Sequence, residues 1–201
     1  MRIGGFVPFT SIDYPGELAA VVFCQGCPWR CGYCHNPHLL PTTSDQLLDW
    51  KDILAELEQR RGFLDAVVFS GGEPTAQAEL PRVIQDTRAL GYKIGLHTAG
   101  CHPERLKRLL PLVDWIGLDI KELPQYYERL TGTPRSGSKA WKSLELAIDS
   151  GIPLQVRTTL DPGIPPHHVS RLRGLLKDMG VEDHILQEYH PPDISPAHRT
   201  T

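Results

Sequence analysis

The chain has 201 residues, of which 40% are hydrophobic and 22% charged, and its formal net charge is -3. This length predicts a single domain over residues 1–201, and the balanced charge argues against a nucleic-acid partner. The N-terminal segment has no basic stretch followed by an apolar run, and the longest apolar stretch, 18–24, is too short to cross a bilayer. We therefore expect a cytoplasmic protein without a membrane partner.

The predicted elements alternate between short apolar strands and amphipathic helices. Strands are predicted at 18–23, 66–69, 93–96, 115–118, 153–159 and 184–188. Helices are predicted at 44–59 with Ser44 as N-cap, and at 80–90, 103–110, 138–150 and 169–179. Six strand–helix units in series imply an α/β fold with a parallel sheet, either doubly wound or an incomplete barrel. Both arrangements place ligands beyond the carboxyl ends of the strands.

Four of the five cysteines crowd into the loop that follows the first predicted strand, with the sequence Cys24-Gln-Gly-Cys27-Pro-Trp-Arg-Cys31-Gly-Tyr-Cys34. Such clustering in a cytosolic protein indicates metal or redox chemistry, and thiolates suit zinc or iron–sulfur clusters. The spacing Cys27-x3-Cys31-x2-Cys34 supplies three ligands, which would leave one iron of a four-iron cube open.

Two other interpretations of the same loop stay open at this point. Cys24 could complete a four-thiolate site, holding zinc or a closed electron-transfer cluster, or it could be a small buried core residue. The pairs Cys24/Cys27 or Cys31/Cys34 could instead form a redox-active dithiol.

The three spaced cysteines, with the aromatic Tyr33 before the third, resemble the signature of the radical S-adenosylmethionine superfamily. The flanking segments Ser11-Ile-Asp-Tyr-Pro-Gly16, Gln25-Gly26-Cys27 and Tyr33-Cys34-His35-Asn36-Pro37 resemble activating enzymes of glycyl-radical enzymes. The likeness is nearest to activating proteins of anaerobic ribonucleoside-triphosphate reductase and runs from about residue 4 to residue 190.

The resemblance implies a partial (β/α)6 barrel that binds one [4Fe–4S] cluster through Cys27, Cys31 and Cys34. The open iron chelates the methionine moiety of S-adenosylmethionine, and Tyr33 lies against the adenine. An electron from a flavodoxin- or ferredoxin-type donor cleaves the sulfonium, and the resulting 5′-deoxyadenosyl radical takes hydrogen from a glycine of the partner, anaerobic ribonucleotide reductase. A relative acting on a small molecule, or an iron–sulfur electron carrier, is the alternative.

The segment Ser70-Gly71-Gly72-Glu73-Pro74 follows the second predicted strand. By itself it reads as a turn with an exposed acid, although two glycines also allow close approach of a ligand. It resembles the GGE segment of the family, which binds the methionine ammonium, and this resemblance implies that Gly71, Gly72 and Glu73 contact the cofactor.

Further polar residues follow the later strands. The family resemblance assigns Lys121 to the methionine carboxylate and Asp119 to the ribose or a monovalent cation, where an exposed ion pair is the plainer interpretation. It directs Thr98 and Arg157 toward the cofactor pocket, although Arg157 could equally form a buried structural ion pair. It places His190 near the adenine. The sequence departs from the family's Asp-Thr-Asn-Gly segment at His97 and Ala99, so we assign His97 no role.

Overall fold

The computed structural model describes residues 1–189, and its framework is one seven-stranded sheet in the order β1 to β7. The strands are β1 (Ile3–Thr10), β2 (Ala19–Cys24), β3 (Ala66–Gly71), β4 (Lys93–Thr98), β5 (Trp115–Asp119), β6 (Leu154–Leu160) and β7 (Asp183–Glu188). The helices are α1 (Trp50–Gln59), α2 (Leu80–Ala89), α3 (Pro103–Leu109), α4 (Tyr127–Thr131), α5 (Ser136–Asp149) and α6 (Pro166–Asp178).

Strands β2 to β7 are parallel and are joined by helices, which confirms the predicted α/β fold. The sheet ends at β1 on one side and at β7 on the other, so the described part forms a partial barrel. None of its helices is long and apolar enough to span a membrane.

Strand β1 was not predicted from the sequence. It pairs antiparallel with β2, and its register shifts twice, between Ile3 and Gly5 and between Val7 and Thr10. Such irregularities break the alternation of apolar and polar residues by which a strand is recognised in a sequence. An edge position explains why this strand also tolerates Pro8.

The predicted start of the first helix was wrong. The helix begins at Trp50, and Asp49 caps it by accepting a hydrogen bond from the backbone N–H of Lys51 at 2.9 Å. The preceding residues form a turn at Asp45 and Gln46, and Leu48 then makes an isolated bridge with Ile3 of β1. The sequence analysis also missed the short helix α4, which proves important for the site.

The two faces of the sheet carry different residues. Alternate residues on the outer face, including Val22, Phe69 and Leu96, join the main hydrophobic core together with residues of the helices such as Leu57 and Leu144. The inner face holds a smaller apolar cluster made of Tyr14, Ala19, Val21, Ala66, Val68 and Trp115. Apolar burial therefore covers the outer face and only the amino-terminal half of the inner face.

The segment between β1 and β2 closes the inner face at the amino ends of the strands. Tyr14 is buried and stacks on Trp115 with ring centroids 5.1 Å apart. The carbonyl oxygen of Asp13 lies 2.8 Å from Nε2 of His97. Because this segment fills the amino-terminal half of the inner face, only the carboxyl-terminal half is left for a cavity.

Candidate functional site

A cavity with about 840 Å³ of empty space opens on the inner face at the carboxyl ends of the strands. The strand register explains its lining. Asp119 pairs with Arg157, and Thr159 pairs with Gln187, so their side chains point to the same face. Ser70 of β3 and His97 of β4 also line the cavity.

The cysteine loop covers one side of this cavity, and Cys27, Cys31 and Cys34 all line it. The loop is tied down by its backbone: the N–H of Cys27 donates to the carbonyl of Leu40 at 3.1 Å. Among the described residues, no three His, Cys, Asp or Glu side chains converge as a single metal ion would require. A mononuclear zinc site needs all its sulfurs about 2.3 Å from one ion, whereas a cube spreads its thiolates over separate irons.

Helix α4 supports the cysteine loop from the other side. The N–H of Arg30 donates to the carbonyl of Thr131 at 2.9 Å, and the N–H of Gly32 donates to the carbonyl of Leu130 at 3.3 Å. The guanidinium of Arg30 donates back to the carbonyls of Cys27 and Trp29. These bonds satisfy the final carbonyls of α4 and fix the loop on both sides of Cys31.

The thiols differ in environment. A hydrogen bond from the thiol of Cys101 is the main reason that the pKa of Cys27 lies below its usual range. Burial raises the pKa of Cys31 and of Cys34. Cys24 is fully buried on the outer face of β2, where burial raises its pKa strongly, and it does not line the cavity. Its surroundings are those of a core residue.

Gly71 and Gly72 are required by the approach of the cysteine loop. A Cβ on Gly71, whose φ is +110°, would lie 2.3 Å from the backbone nitrogen of Cys24. A Cβ on Gly72 would lie 2.6 Å from the carbonyl oxygen of Gly26. The two glycines therefore allow two backbone segments to meet, and their own backbone borders the cavity.

The carboxylate of Glu73 is fully buried and is absent from the lining of the cavity. It accepts four hydrogen bonds: from the backbone N–H and hydroxyl of Thr75 at 3.0 and 2.6 Å, from the hydroxyl of Thr98 at 2.6 Å, and from the N–H of Ala99 at 3.0 Å. These donors match an ionised carboxylate, which only accepts. Glu73 thus ties the loop after β3 to the loop after β4.

Lys121 and Asp119 form an ion pair at the cavity wall, with Nζ 3.2 Å from Oδ2. Burial by itself lowers the pKa of Lys121, but the acidic side chains of Tyr33, Asp119 and Cys31 beside it raise it well above its usual value. Burial likewise opposes the charge of Asp119, and Lys121 and Arg157 more than compensate, so its pKa is lowered. Both groups are therefore charged at neutral pH.

Tyr33 lies beneath this pair, with the Lys121 nitrogen 5.5 Å from the centre of its ring. Its ring packs against Leu130 and Ile164. Its hydroxyl is buried and, within the described residues, has no hydrogen-bond partner. A buried polar atom without a partner at the edge of a cavity is expected where a ligand completes the site.

Arg157 projects from β6 to the other oxygen of Asp119, with Nε 3.3 Å from Oδ1. The contact is an ion pair without hydrogen-bond alignment, because Nε of Arg157 has no hydrogen-bond partner in the described part of the chain. The guanidinium also approaches His97 and the carbonyl of Gly117. His97, which was assigned no role from its sequence context, therefore supports Arg157.

The structure brings most of the predicted site residues together around this one cavity. Those that line it are Cys27, Cys31, Tyr33, Cys34, Gly71, Gly72, Thr98, Asp119, Lys121 and Arg157. Glu73 stands behind the lining, and His190 lies outside the described residues. Sequence reasoning missed Gln187, which lines the cavity from β7, and Cys101, which supports Cys27. Both lie near the carboxyl ends of strands, where ligands of parallel sheets are expected to bind, so their positions could have indicated them.

Comparison with known proteins agrees with this arrangement. The model of the Radical SAM superfamily matches residues 21–176. A Methanocaldococcus jannaschii protein described as a glycyl-radical enzyme activating enzyme is 28% identical over 204 residues, covering 95% of this chain and 81% of the relative. The pyruvate formate-lyase-activating enzyme of Listeria monocytogenes is 30% identical over 177 residues, covering 80% and 69%.

Solved structures show the same fold at low sequence identity. The structure of anSMEcpe with bound AdoMet has a TM-score of 0.68 at 17% identity and covers 84% of this chain. Streptococcus suis SuiB bound to S-adenosylmethionine has a TM-score of 0.68 at 15% identity and also covers 84%. This chain spans 50% and 40% of the lengths of those two proteins.

Enzymes of the matching superfamily use a [4Fe–4S] cluster and S-adenosylmethionine. Around one cavity of the described part of the chain lie three thiols, a lysine–aspartate ion pair and a tyrosine hydroxyl without a hydrogen-bond partner, and these fit the two groups. The chain therefore belongs to the radical S-adenosylmethionine superfamily and is an enzyme of the glycyl-radical-enzyme-activating type.

Proposed function

We propose that Cys27, Cys31 and Cys34 hold a single [4Fe–4S] cluster. The observation that carries the proposal is that these three thiols line one cavity, whereas Cys24 is buried on the opposite face of the sheet. Cys24 could reach the cavity only if β2 rotated about its axis, because its side chain points to the outer face of the sheet. A three-thiolate site leaves one coordination position for a substrate.

We propose further that the same cavity seats S-adenosylmethionine. The charged Nζ of Lys121 receives the methionine carboxylate, and the backbone edge at Gly71 and Gly72 receives the ammonium. Tyr33 lies toward the adenine, and Asp119 toward the ribose hydroxyls. Thr98 and Glu73 position the loops around the cofactor and do not bind it through their polar groups, because the Thr98 hydroxyl already donates to the buried Glu73 carboxylate.

Reduction of the bound cluster supplies the chemistry that cleaves S-adenosylmethionine and generates a glycyl radical on a partner enzyme. The chain's own residues orient the sulfonium and exclude water from the cavity floor. Within the described residues β7 is an edge strand, and we propose this side of the cavity for the partner's loop. We propose anaerobic ribonucleotide reductase as that partner, since the flanking segments around the cysteines resemble its activating proteins. We also propose a flavodoxin- or ferredoxin-type electron donor.

The first experiment reconstitutes the chain anaerobically with iron and sulfide, then adds dithionite and S-adenosylmethionine and measures 5′-deoxyadenosine. We expect about four irons per chain. Alanine variants of each proposed ligand should lose the cluster and the product, whereas Cys24→Ala should keep both. A reducible cluster that yields no 5′-deoxyadenosine would point to an electron carrier. Loss of the cluster in Cys24→Ala would point to a closed four-thiolate site.

A second experiment identifies the partner. The reduced enzyme and S-adenosylmethionine are mixed with anaerobic ribonucleotide reductase or, in parallel, with pyruvate formate-lyase, and the glycyl radical is measured by electron paramagnetic resonance. We expect the signal with the reductase. A signal only with the lyase would reassign the partner, and cleavage without a signal on either protein would favour a small-molecule substrate.

A further inference from the structure

Three charged side chains and one histidine form a compact group on the floor of the cavity. Asp119 stands between two cations: its Oδ2 is 3.2 Å from Nζ of Lys121, and its Oδ1 is 3.3 Å from Nε of Arg157. One carboxylate between two cations leaves a net charge of +1, provided that His97 is neutral. The state of His97 is therefore the next question.

The contacts of His97 determine which ring nitrogen carries the hydrogen. Its Nε2 lies 2.8 Å from the carbonyl oxygen of Asp13, and since a carbonyl only accepts, Nε2 must carry the hydrogen. Nη1 of Arg157 lies 3.4 Å from Nδ1 and 3.3 Å from Nε2, so the guanidinium packs against the ring and does not single out one nitrogen as its acceptor. Burial, reinforced by the charge of Arg157, lowers the pKa of His97 to about 4, so the ring is neutral at pH 7.

The absence of a side chain at Gly117 leaves space for the guanidinium of Arg157. Nη2 of Arg157 approaches the carbonyl of Gly117 at 3.4 Å. A Cβ on Gly117 would lie 3.0 Å from Cζ of Arg157 and 2.9 Å from Cδ2 of His97. Glycine at this position of β5 therefore makes room for the stacked pair, and each nitrogen of the guanidinium faces a different neighbour.

The family resemblance allowed a monovalent cation beside Asp119, and the residues around Asp119 do not fit one. Both carboxylate oxygens already face cations, and position 97 offers a neutral ring where the related segment carries an aspartate. A metal ion here would add charge beside the ammonium of Lys121 and the guanidinium of Arg157 while gaining no free carboxylate oxygen.

We propose that Arg157 is the built-in cation of the cofactor cavity, so that S-adenosylmethionine binds and is cleaved without any monovalent metal ion. The net positive charge of the group matches the carboxylate of the methionine moiety. This inference rests on the proposed function, because it concerns the binding of the same cofactor in the same cavity.

The test measures equilibrium binding of labelled S-adenosylmethionine to the oxidised, cluster-containing enzyme, in which no cleavage occurs. The buffer contains potassium chloride, sodium chloride or tetramethylammonium chloride at equal ionic strength. We expect dissociation constants that agree within about twofold in all three salts, because the group needs no added cation. The yield of 5′-deoxyadenosine after reduction should likewise be the same in all three salts.

The variant Arg157→Gln should weaken binding by about tenfold or more in every salt, since it removes a charge from a partly buried site. The matched control is Arg60→Gln, which changes an exposed arginine paired with Glu56 and should bind normally. Far-ultraviolet circular dichroism and iron content of Arg157→Gln must equal those of the parent for the comparison to count, and Arg157→Lys, which keeps the charge, should recover part of the affinity.

Binding or cleavage by the parent enzyme that requires potassium or sodium would overturn the inference and leave the proposed function standing. Unchanged affinity in a folded, cluster-containing Arg157→Gln would also overturn it. A cluster-containing parent that neither binds nor cleaves S-adenosylmethionine in any salt would instead overturn the proposed function.

Discussion

Replacing Glu73 with glutamine separates a structural role of this residue from direct contact with the cofactor. In the structure the carboxylate is fully buried and accepts four hydrogen bonds from Thr75, Thr98 and Ala99. If Glu73 ties two loops together, the loss should appear mainly in protein stability. If its carboxylate instead contacts the methionine ammonium, the loss should appear mainly in affinity.

The magnitude follows from the donors. Glutamine keeps one acceptor oxygen, which can serve the three bonds made by Oε1, but it places an NH2 group against the N–H of Ala99. Two buried donors then face each other, and each unsatisfied group costs about 1–3 kcal/mol. The three retained bonds also lose their charge assistance. The two unsatisfied donors together give a destabilisation of roughly 2–6 kcal/mol.

The assay is urea unfolding of the cluster-free protein, followed by circular dichroism. With an m-value of about 2 kcal/mol/M, the midpoint should fall by roughly 1–3 M. The control Glu56→Gln removes an exposed partner of Arg60 and should leave the midpoint nearly unchanged. An unchanged midpoint in Glu73→Gln, together with a large loss of S-adenosylmethionine affinity, would refute the reasoning and restore the carboxylate as a ligand.

The remaining predictions concern the floor of the cavity. Lys121→Met should keep its iron content and lose about tenfold or more in affinity for S-adenosylmethionine, as measured by equilibrium dialysis; equal affinity would exclude Lys121 as the carboxylate partner. His97 is neutral when folded, with a pKa of about 4 against 6.5 when unfolded, so stability from this group is lost as the pH falls below 6.5. Between pH 6.5 and pH 4 the parent should lose up to about 3 kcal/mol more than His97→Gln in the free energy of unfolding, and parallel curves would contradict the assignment. Gly117→Ala should displace Arg157 and weaken cofactor binding, whereas Gly174→Ala, where a Cβ meets open space, should not.

Sequence alone was enough for the parallel strands and for the identity of the loops that carry chemistry. Buried parallel strands are continuous apolar runs, and β2 and β3 have that form, so their positions were predicted within a few residues. The spacing of Cys27, Cys31 and Cys34 is likewise a local property of the chain. Because parallel strands align their carboxyl ends, the convergence of these loops with Asp119 and Lys121 also followed from pattern.

The tertiary structure decided what each polar group does once the loops meet. Glu73, Cys101 and His97 take their roles from partners 25 to 84 positions away in sequence or from another loop, and no local pattern encodes such contacts. Helix α4 also depends on distant contacts, because its role is to accept hydrogen bonds from the cysteine loop. Strand β1 was missed because its irregular pairing interrupts the alternation of apolar and polar residues. Local sequence determines strands and ligand spacing, while burial, long-range hydrogen bonds and the balance of charge arise only from packing.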